Sequence, residues 1–410
     1  MERTGRRGDV ADAGDARASR RSNRVRRGAL VLVLALGLVR VARASTDVVV
    51  PSTDPAAFTF SADGDLYVGN ATRVPGPVAA NGSILLDERV RVPSVVARKD
   101  LKLRLLAAVD GDAVTVAGAA QLAGQARVHG DLAAARGVVV GVSARVDGDV
   151  TATGGGVRVV RLGSVGGDVY ANREFRGDRD VLVGSPGSRV EVRGDAIIRD
   201  RGEYFASILY EGALSVLGTG APVFHASVVA LGPGTLDARD MPGWKLASPS
   251  LPAASPGLDD VTVTRSAGEV ALPPGRYRLV TLEQQARLVL SPGVYEVEQL
   301  VAQSDARIRV DLPGPSDTVE LRARRDVRPG RRFMLDLGTS DAALRRGRAA
   351  RVRTIAGGAF RGDQDVVWAG AILAGKGVVL GKHTTLVGSA WSKGDLQVGR
   401  DAVVDWVPAP

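Results

Sequence analysis

GAILAGKGVVLGKHTTLV (residues 370–387) is followed at once by GSAWSKGDLQVGRDAVVD (388–405), and the two strings align without a gap. Gly370 falls over Gly388 and Gly381 over Gly399, each 18 residues apart, and Lys376-Gly377 returns 17 residues later as Lys393-Gly394. The same step separates Pro274-Gly275-Arg276-Tyr277 from Pro292-Gly293-Val294-Tyr295. Gly-Asp dipeptides begin at Gly111, Gly130, Gly148 and Gly167, at intervals of 19, 18 and 19. A period near 18 is the signature of a solenoid.

Between these glycines the text is rich in Val and alternates. Val138, Val140, Val142, Ala144 and Val146 share one parity, with Arg145 and Asp147 on the other, which is the period-2 pattern of half-buried strands. Eighteen residues are too few for a helical repeat, and each glycine inside a helix would cost about 1 kcal/mol. A coil of that length divides into three short strands joined by tight turns, with Gly and Asp supplying corners of φ > 0 or local side-chain bonding. Coils stacked about 4.8 Å apart then bury a Val/Leu/Ala interior that no single coil could bury alone. The expected fold is all-β, a parallel β-helix. The apolar positions do not keep a strict six-residue spacing, which favours the right-handed form.

Five segments follow. Residues 1–44 form a basic leader and signal peptide, and 45–105 an irregular β cap. Residues 106–232 are a first β-helix block, with an insertion expected around Asn172 to Ser188 because Gly194-Asp195 lies 27 residues after Gly167. Residues 233–260, which contain Met241-Pro242-Gly243-Trp244 and a Pro/Ser/Ala-rich stretch, read as a linker or long loop. Residues 261–410 form a second block of rungs. Its doubled Pro-Gly-x-Tyr, together with Trp368 to Ala374, Val379-Leu380-Gly381 and Leu386 to Ala390, resembles the β-helical domain of unknown function in exported pilus-assembly-like surface proteins. The Gly-Asp-Val rungs of the first block are similar to bactofilins. That resemblance implies a polymer-forming bacterial scaffold. Bactofilins work in the cytoplasm without a signal peptide, so the leader here points instead to an exported role.

The leader accounts for most of the formal charge of +9. Residues 1–27 hold nine arginines against Glu2, Asp9, Asp12 and Asp15, and Arg40 and Arg43 follow, so seven of the nine net charges precede Ser45. In the body, arginines alternate with aspartates and no basic stripe is interleaved with aromatics, which argues against a nucleic-acid partner. The basic tail, the apolar run from Gly28 to Val39 and Ala42-Arg43-Ala44 have the layout of a secretory signal. That run has 12 residues, short of the roughly 17 to 25 that span a bilayer, so any membrane contact is through the leader. With no cysteine, the exported chain has neither disulfides nor thiolate metal sites.

Candidate chemistry is sparse. Paired carboxylates on a β-helix face can act as acid and base on polysaccharides, and the pairs here are Asp178 with Asp180, Asp237 with Asp240, and Asp259 with Asp260. Asp259 and Asp260 are the catalytic alternative; turn aspartates bonding their own backbone are the commoner use. His129, His225 and His383 are isolated, with no metal-ligand spacing, and no cofactor is implied. Gly377 stands where a phosphate-binding loop ending at Lys376 would need Ser or Thr. Arg-Gly-Asp occurs at Arg7, Arg176, Arg193 and Arg361, as expected where Gly-Asp is a turn dipeptide and arginine is abundant. An ice-binding face needs Thr-x-Thr on successive rungs, and only Thr151-Ala152-Thr153 and Thr262-Val263-Thr264 occur. Tyr204, Tyr210, Trp244 and Trp391 could stack on sugars or anchor the core.

These readings lead to a non-enzymatic exported scaffold, at the cell surface, in the periplasm or outside the cell. Its partners would be further copies of itself, added end to end, or components of the cell envelope. The competing reading is a polysaccharide-active or polysaccharide-binding protein. Gly111, Gly130, Gly148, Gly167, Gly275, Gly293, Gly370, Gly381, Gly388 and Gly399 are structural corners. The chain stops directly after the rung Val403 to Val407, so the last coil is expected to lie uncovered and to recruit partners through its strand edges.

Overall fold

The computed structural model describes residues 52–408; the leader and signal peptide lie outside them. The described residues belong to one compact unit, a parallel β-solenoid. Each coil carries three short strands. In one of them Val95–Ala97 forms the first wall, Leu101–Leu103 the second and Ala108–Val109 the third. Their partners in the next coil are in register: Val95 opposite Ala113, Leu101 opposite Ala120 and Ala108 opposite Arg127. Alternation does the sorting, since Leu101 and Leu103 point inward while Lys102 between them is exposed. All inward side chains merge into a single apolar cluster that runs from Phe60 to Val407.

The axial order of the coils is not the chain order. Phe60–Ala62 pairs with Val78–Ala80 on one side and with Ala390–Ser392 on the other, and Leu66–Val68 pairs with both Ile84–Leu86 and Asp395–Val398. Arg73 likewise bridges Arg91 and Val403. The N-terminal coils therefore sit on the last C-terminal coil, and the rod reads 261–408 and then 59–230. Two sequence expectations change. Residues from Phe60 to about 105 are ordinary rungs in the middle of the rod, not a cap, because they are paired on both sides. The final coil is covered, because Phe60–Ala62 and Leu66–Val68 complete its edges.

This order explains the segment 233–260. It has to return from the top of the rod to its bottom. The third wall holds eight strands in one sheet and seven in the other, with Arg73 between them; at about 4.8 Å per level the rod is roughly 75 Å long. Residues 231–260 reach about 100 Å when extended, and Pro233, Pro242, Pro249, Pro252 and Pro256 hold them extended without ladder partners. The strap descends the first wall by fixed steps. The Tyr170 hydroxyl donates to the Asp237 carbonyl and accepts from the Arg239 amide, each at 3.1 Å. Trp244 and Leu246 pack on Phe58, Ala79 and Val96, and Asn81 exchanges two hydrogen bonds with the Leu246 backbone, at 2.8 and 3.0 Å. Leu251 meets Ala371, Leu373 and Trp391. The Arg278 amide then donates to the Asp259 carbonyl at 2.8 Å.

The corners depart from expectation in an instructive way. Gly111, Gly130, Gly148 and Gly167 do not have positive φ. They are glycine because a neighbour occupies the place of a Cβ: at Gly130, Gly148 and Gly167 the aspartate of the preceding coil. That aspartate turns across the level and accepts a backbone N–H one coil on. Asp112 accepts from Asp131, Asp131 from Asp149 and Asp149 from Asp168, at 2.7 to 2.9 Å. A second such ladder stands at the corner between the first and second walls, where Asp395 accepts from Asp65 and Asp65 from Ser83. Gly194-Asp195 belongs to this second corner, so its 27-residue distance from Gly167 is a change of corner and not one long insertion; the extra residues nearby form the Gly184 to Ser188 turn. Gly370 and Gly388 do have positive φ, 110° and 153°, and a Cβ on either would overlap the backbone carbonyl one coil below. The left-handed corners between the second and third walls belong to non-glycine residues, among them Arg89, Leu106, Leu162 and Asp401. Their N–H groups bond the next coil's carbonyl, as Arg89 does to Leu105 at 3.1 Å, which offsets the conformational cost.

One helix interrupts the second block. Ala342–Ala349 is capped by the Asp341 side chain, which accepts from the Leu344 amide at 2.8 Å, and its Ala, Leu and Arg content favours a helix.

Candidate functional site

Of the paired carboxylates, Asp178, Asp180 and Asp260 are brought to arginines. Asp178 lies within 2.8 Å of Arg158, 3.2 Å of Arg176 and 3.7 Å of Arg199. Burial pushes its pKa up, but the Arg158 and Arg176 hydrogen bonds and charges outweigh that, and the carboxyl lies below the ordinary aspartate value. Asp180 pairs with Arg201 at 3.0 Å. At the foot of the strap Asp260 forms a two-point ion pair with Arg278, and that hydrogen bond holds its pKa down. Asp259 presents its backbone carbonyl to Arg278. Asp237 and Asp240 belong to the strap. A carboxylate engaged by its own arginine is held charged and is a poor proton donor.

The remaining polar candidates follow the same rule. His129 meets Asp147 at 2.9 Å, and His383 lies 3.1 Å from Asp365 and 3.7 Å from Asp401. His225 stacks on Phe205 with ring centroids 4.2 Å apart. Of the aromatics, Tyr204 is fully interior between Phe175 and Phe224, Trp244 and Trp391 lie under the strap, and Tyr210 stands at the upper end of the rod. Among the Arg-Gly-Asp strings, Asp195 is a ladder acceptor for Ala213 and Asp178 is the ion-paired group above. Among the described residues no three His, Asp or Glu side chains come together in a way that could hold a metal ion.

Two features present unsatisfied chemistry. The first is the pair of rod ends. At the upper end Leu214–Leu217, Val223–Phe224 and Val228–Ala230 each have a partner on one side only. Val216 is 50% exposed there and Val223 47%. At the lower end Val261–Val263 and Glu269–Leu272 pair only with the coil above, whereas the start of Gly275–Leu282 has the tail of the strap beneath it, Gly257 under Arg276 and the Asp259 carbonyl on the Arg278 amide. Tyr210, Leu214, Phe224 and Val228 at the top, and Val261, Val270 and Tyr277 at the bottom, touch the core yet are only partly buried. The sequence expected one open edge, at the C-terminus. The open edges are at residues 214–230 and 261–272.

The second feature is a shallow groove along the corner between the first and second walls. Gly118 and Gly154 to Gly156 remove side chains from alternate levels, leaving hollows of about 340 and 890 Å³ between Arg98 with Lys99, Arg136, and Arg173. These four cations are exposed. Asp100, Glu174 and Asp195 share the lining. The groove was not legible in the sequence, because its cations come from different coils and the glycines between them look like ordinary corners.

No family model matches the chain, and no curated protein matches it. Among solved structures, the crystal structure of an ice-binding protein from an Antarctic bacterium of the Flavobacteriaceae is similar to it at 9% sequence identity, covering 86% of this chain and 97% of that one, with a TM-score of 0.26.

Proposed function

We propose that the chain is a non-enzymatic, exported scaffold: a β-helix rod that associates with further copies through its two open ends. The observation that carries this reading is the state of those ends. Unpaired parallel strands with partly buried apolar side chains recruit another edge unless something covers them; among the described residues no strand pairs with the outer edges of Leu214–Leu217, Val223–Phe224 and Val228–Ala230 at the top or of Val261–Val263 and Glu269–Leu272 at the bottom. Export rests on the leader, with its basic tail, 12-residue apolar run and small-residue Ala42-Arg43-Ala44. The likeness of the Gly-Asp-Val rungs to bactofilins agrees with a polymer-forming role. Light scattering and electron microscopy of the chain from Ser45 onward test the assembly; the expected result is concentration-dependent growth into filaments, and a strict monomer up to millimolar concentration overturns it. Mass spectrometry of the envelope fraction tests the export, with a mature start at Ser45 expected.

The corner groove favours a second reading, a binder of acidic polysaccharide. Arg98 with Lys99, Arg136 and Arg173 recur on every second level, about 10 Å apart, a spacing suited to a chain with regularly repeated negative charge. Retention on a polyuronate column that falls when Arg136 and Arg173 are changed to Ala supports it. For the lyase variant of this reading, 4,5-unsaturated product that vanishes in the Asp259→Asn, Asp260→Asn double variant is the required result.

A further inference from the structure

The corner between the second and third walls is a convex ridge, and we infer that it is a docking surface for an anionic lipid bilayer. The inference goes beyond the scaffold reading and does not depend on it. Over four successive coils the crest of this corner is apolar. Leu105 and Leu106 stand on the first coil, Gly124 on the next, Val142 on the third and Leu162 on the fourth. Their levels are fixed by the amides of Leu106, Gln125 and Ser143, which donate to the carbonyls of Gly124, Val142 and Arg161. The four large side chains are 42 to 50% exposed. Leu182, also exposed, follows one coil higher at the start of the third wall. Gly124 does not break the row, because Leu105 Cδ1 leans to within 3.7 Å of the place of its missing Cβ. One exposed leucine means little, but a contiguous row along a single edge marks an interaction surface.

The slopes of the ridge supply the charge. Lys102, Arg158 and Arg176 are outward positions of the second wall on these coils, and Arg127 and Arg145 of the third. Arg161 and Arg179 stand on the crest itself. Lys102 and Arg161 have no ion-pair partner among the described residues. The other cations outnumber their carboxylates: Asp147 serves both Arg127 and Arg145, and Asp178 both Arg158 and Arg176. Asp180, the one carboxylate on the crest of these coils, is held by Arg201 at 3.0 Å, and Arg179 reaches Asp200 at 3.4 Å. On the same coils the ladder carboxylates Asp112, Asp131, Asp149 and Asp168 belong to the corner between the third and first walls, turned away from the ridge. A convex edge cannot enclose a peptide or a sugar chain, which need a groove. It can enter a flat interface along its length of roughly 20 Å. The leucine tips then pass into the acyl boundary while the arginines stay among the lipid phosphates.

Vesicle flotation of the full-length mature protein tests this. The chain is expected to float with vesicles of phosphatidylcholine and phosphatidylglycerol in equal parts, not with phosphatidylcholine alone, and less as salt rises. The triple variant Leu105→Ser, Val142→Ser, Leu162→Asn leaves the interior intact, and Asn tolerates the left-handed backbone at residue 162. It is expected to melt like the parent by circular dichroism while losing about tenfold or more in vesicle affinity, equivalent to roughly 1.4 kcal/mol. Lys102→Glu with Arg161→Glu is expected to lose as much. Arg136→Ala with Arg173→Ala, in the groove at another corner, is expected to bind as the parent does. The chain has no cysteine, so Val142→Cys carrying a polarity-sensitive dye reports insertion directly, as a blue shift on the mixed vesicles. Absence of flotation, an unshifted dye, or an equal loss in the groove variant overturns the ridge as the lipid contact. Self-association that the triple variant removes, with no vesicle binding, assigns the ridge to a second copy and overturns the lipid reading while leaving the scaffold reading standing.

Discussion

The internal junction and the two free ends are built from the same parts and differ only in whether a neighbour is present. At the junction Leu66 and Leu396 are each 1% exposed, the strands of three walls are paired on both sides, and Asp395 accepts the Asp65 amide at 2.9 Å. At the ends the equivalent positions, Leu214 and Val261, are only partly buried and have one strand partner each. A parallel ladder does not register how far apart its strands lie in sequence. It needs a matching phase, apolar inward positions and free backbone groups. The junction has these requirements satisfied within one molecule; the ends offer apolar positions and free backbone groups to another.

The largest effect should come from putting a charge into each place. Leu66→Asp buries an unpaired carboxylate at the junction, at a cost of several kcal/mol, and is expected to lower the Tm sharply or split thermal unfolding into two transitions by circular dichroism. Leu214→Asp at the upper end is expected to leave monomer unfolding within about 1 kcal/mol of the parent while abolishing growth in light scattering. If the end variant unfolds the monomer as severely as the junction variant, the contrast fails.

The strap comes next. Trp244→Ala removes a buried indole packed beside the junction on Phe58, Ala79 and Val96, at a cost of about 3 to 5 kcal/mol if the whole packing is lost. The expected result is protease cleavage near residues 240–250 and faster hydrogen exchange there. Strands far from the junction, such as Val150–Ala152, should keep their protection. Asn81→Ala deletes both bonds to Leu246 and should give a smaller release, about 1 to 3 kcal/mol.

Acid separates the apolar junction from the ion-paired walls. The folded pKa of Asp178 is lowered, so the stability it contributes is present above the unfolded aspartate value of about 4. It is lost as pH falls from there through the lowered folded value. Asp178→Asn should flatten the acid limb of the Tm against pH below about pH 4, whereas Leu66→Ala should shift the curve down without changing its slope. The smallest effect is expected at the left-handed corners. Leu162 has φ 60° and is half exposed, and Leu162→Gly relieves the left-handed cost against a loss of chain entropy, a gain of less than about 1 kcal/mol in chemical unfolding.

The coil itself was legible. The 18-residue step and the alternation of Val138 to Val146 state a three-strand rung, because side-chain period and corner spacing are local properties. The meaning of the Gly-Asp pairs was only half legible, since the dipeptide marks a corner but the reason for the glycine is an aspartate one coil away. The left-handed corners were legible only in part, since Asp401 is of a type that favours positive φ whereas Arg89, Leu106 and Leu162 carry no such preference. The groove of Arg98, Arg136 and Arg173 and the ion cluster around Asp178 likewise required knowing which coils are neighbours.

What the sequence alone determines is the rung: its length, its inward Val, Leu and Ala, and the extended, proline-bearing strap between residues 233 and 260. What only the tertiary structure decides is the order in which the rungs stack. Every rung offers nearly the same backbone edge and the same inward apolar positions, so local sequence cannot say that residue 60 rests on residue 390. That choice is made by long-range contacts. The strap is long enough to return to the base of the rod, Tyr170, Asn81 and Leu373 fix its path, and the phase of the last and first strands lets the two blocks close into one continuous core.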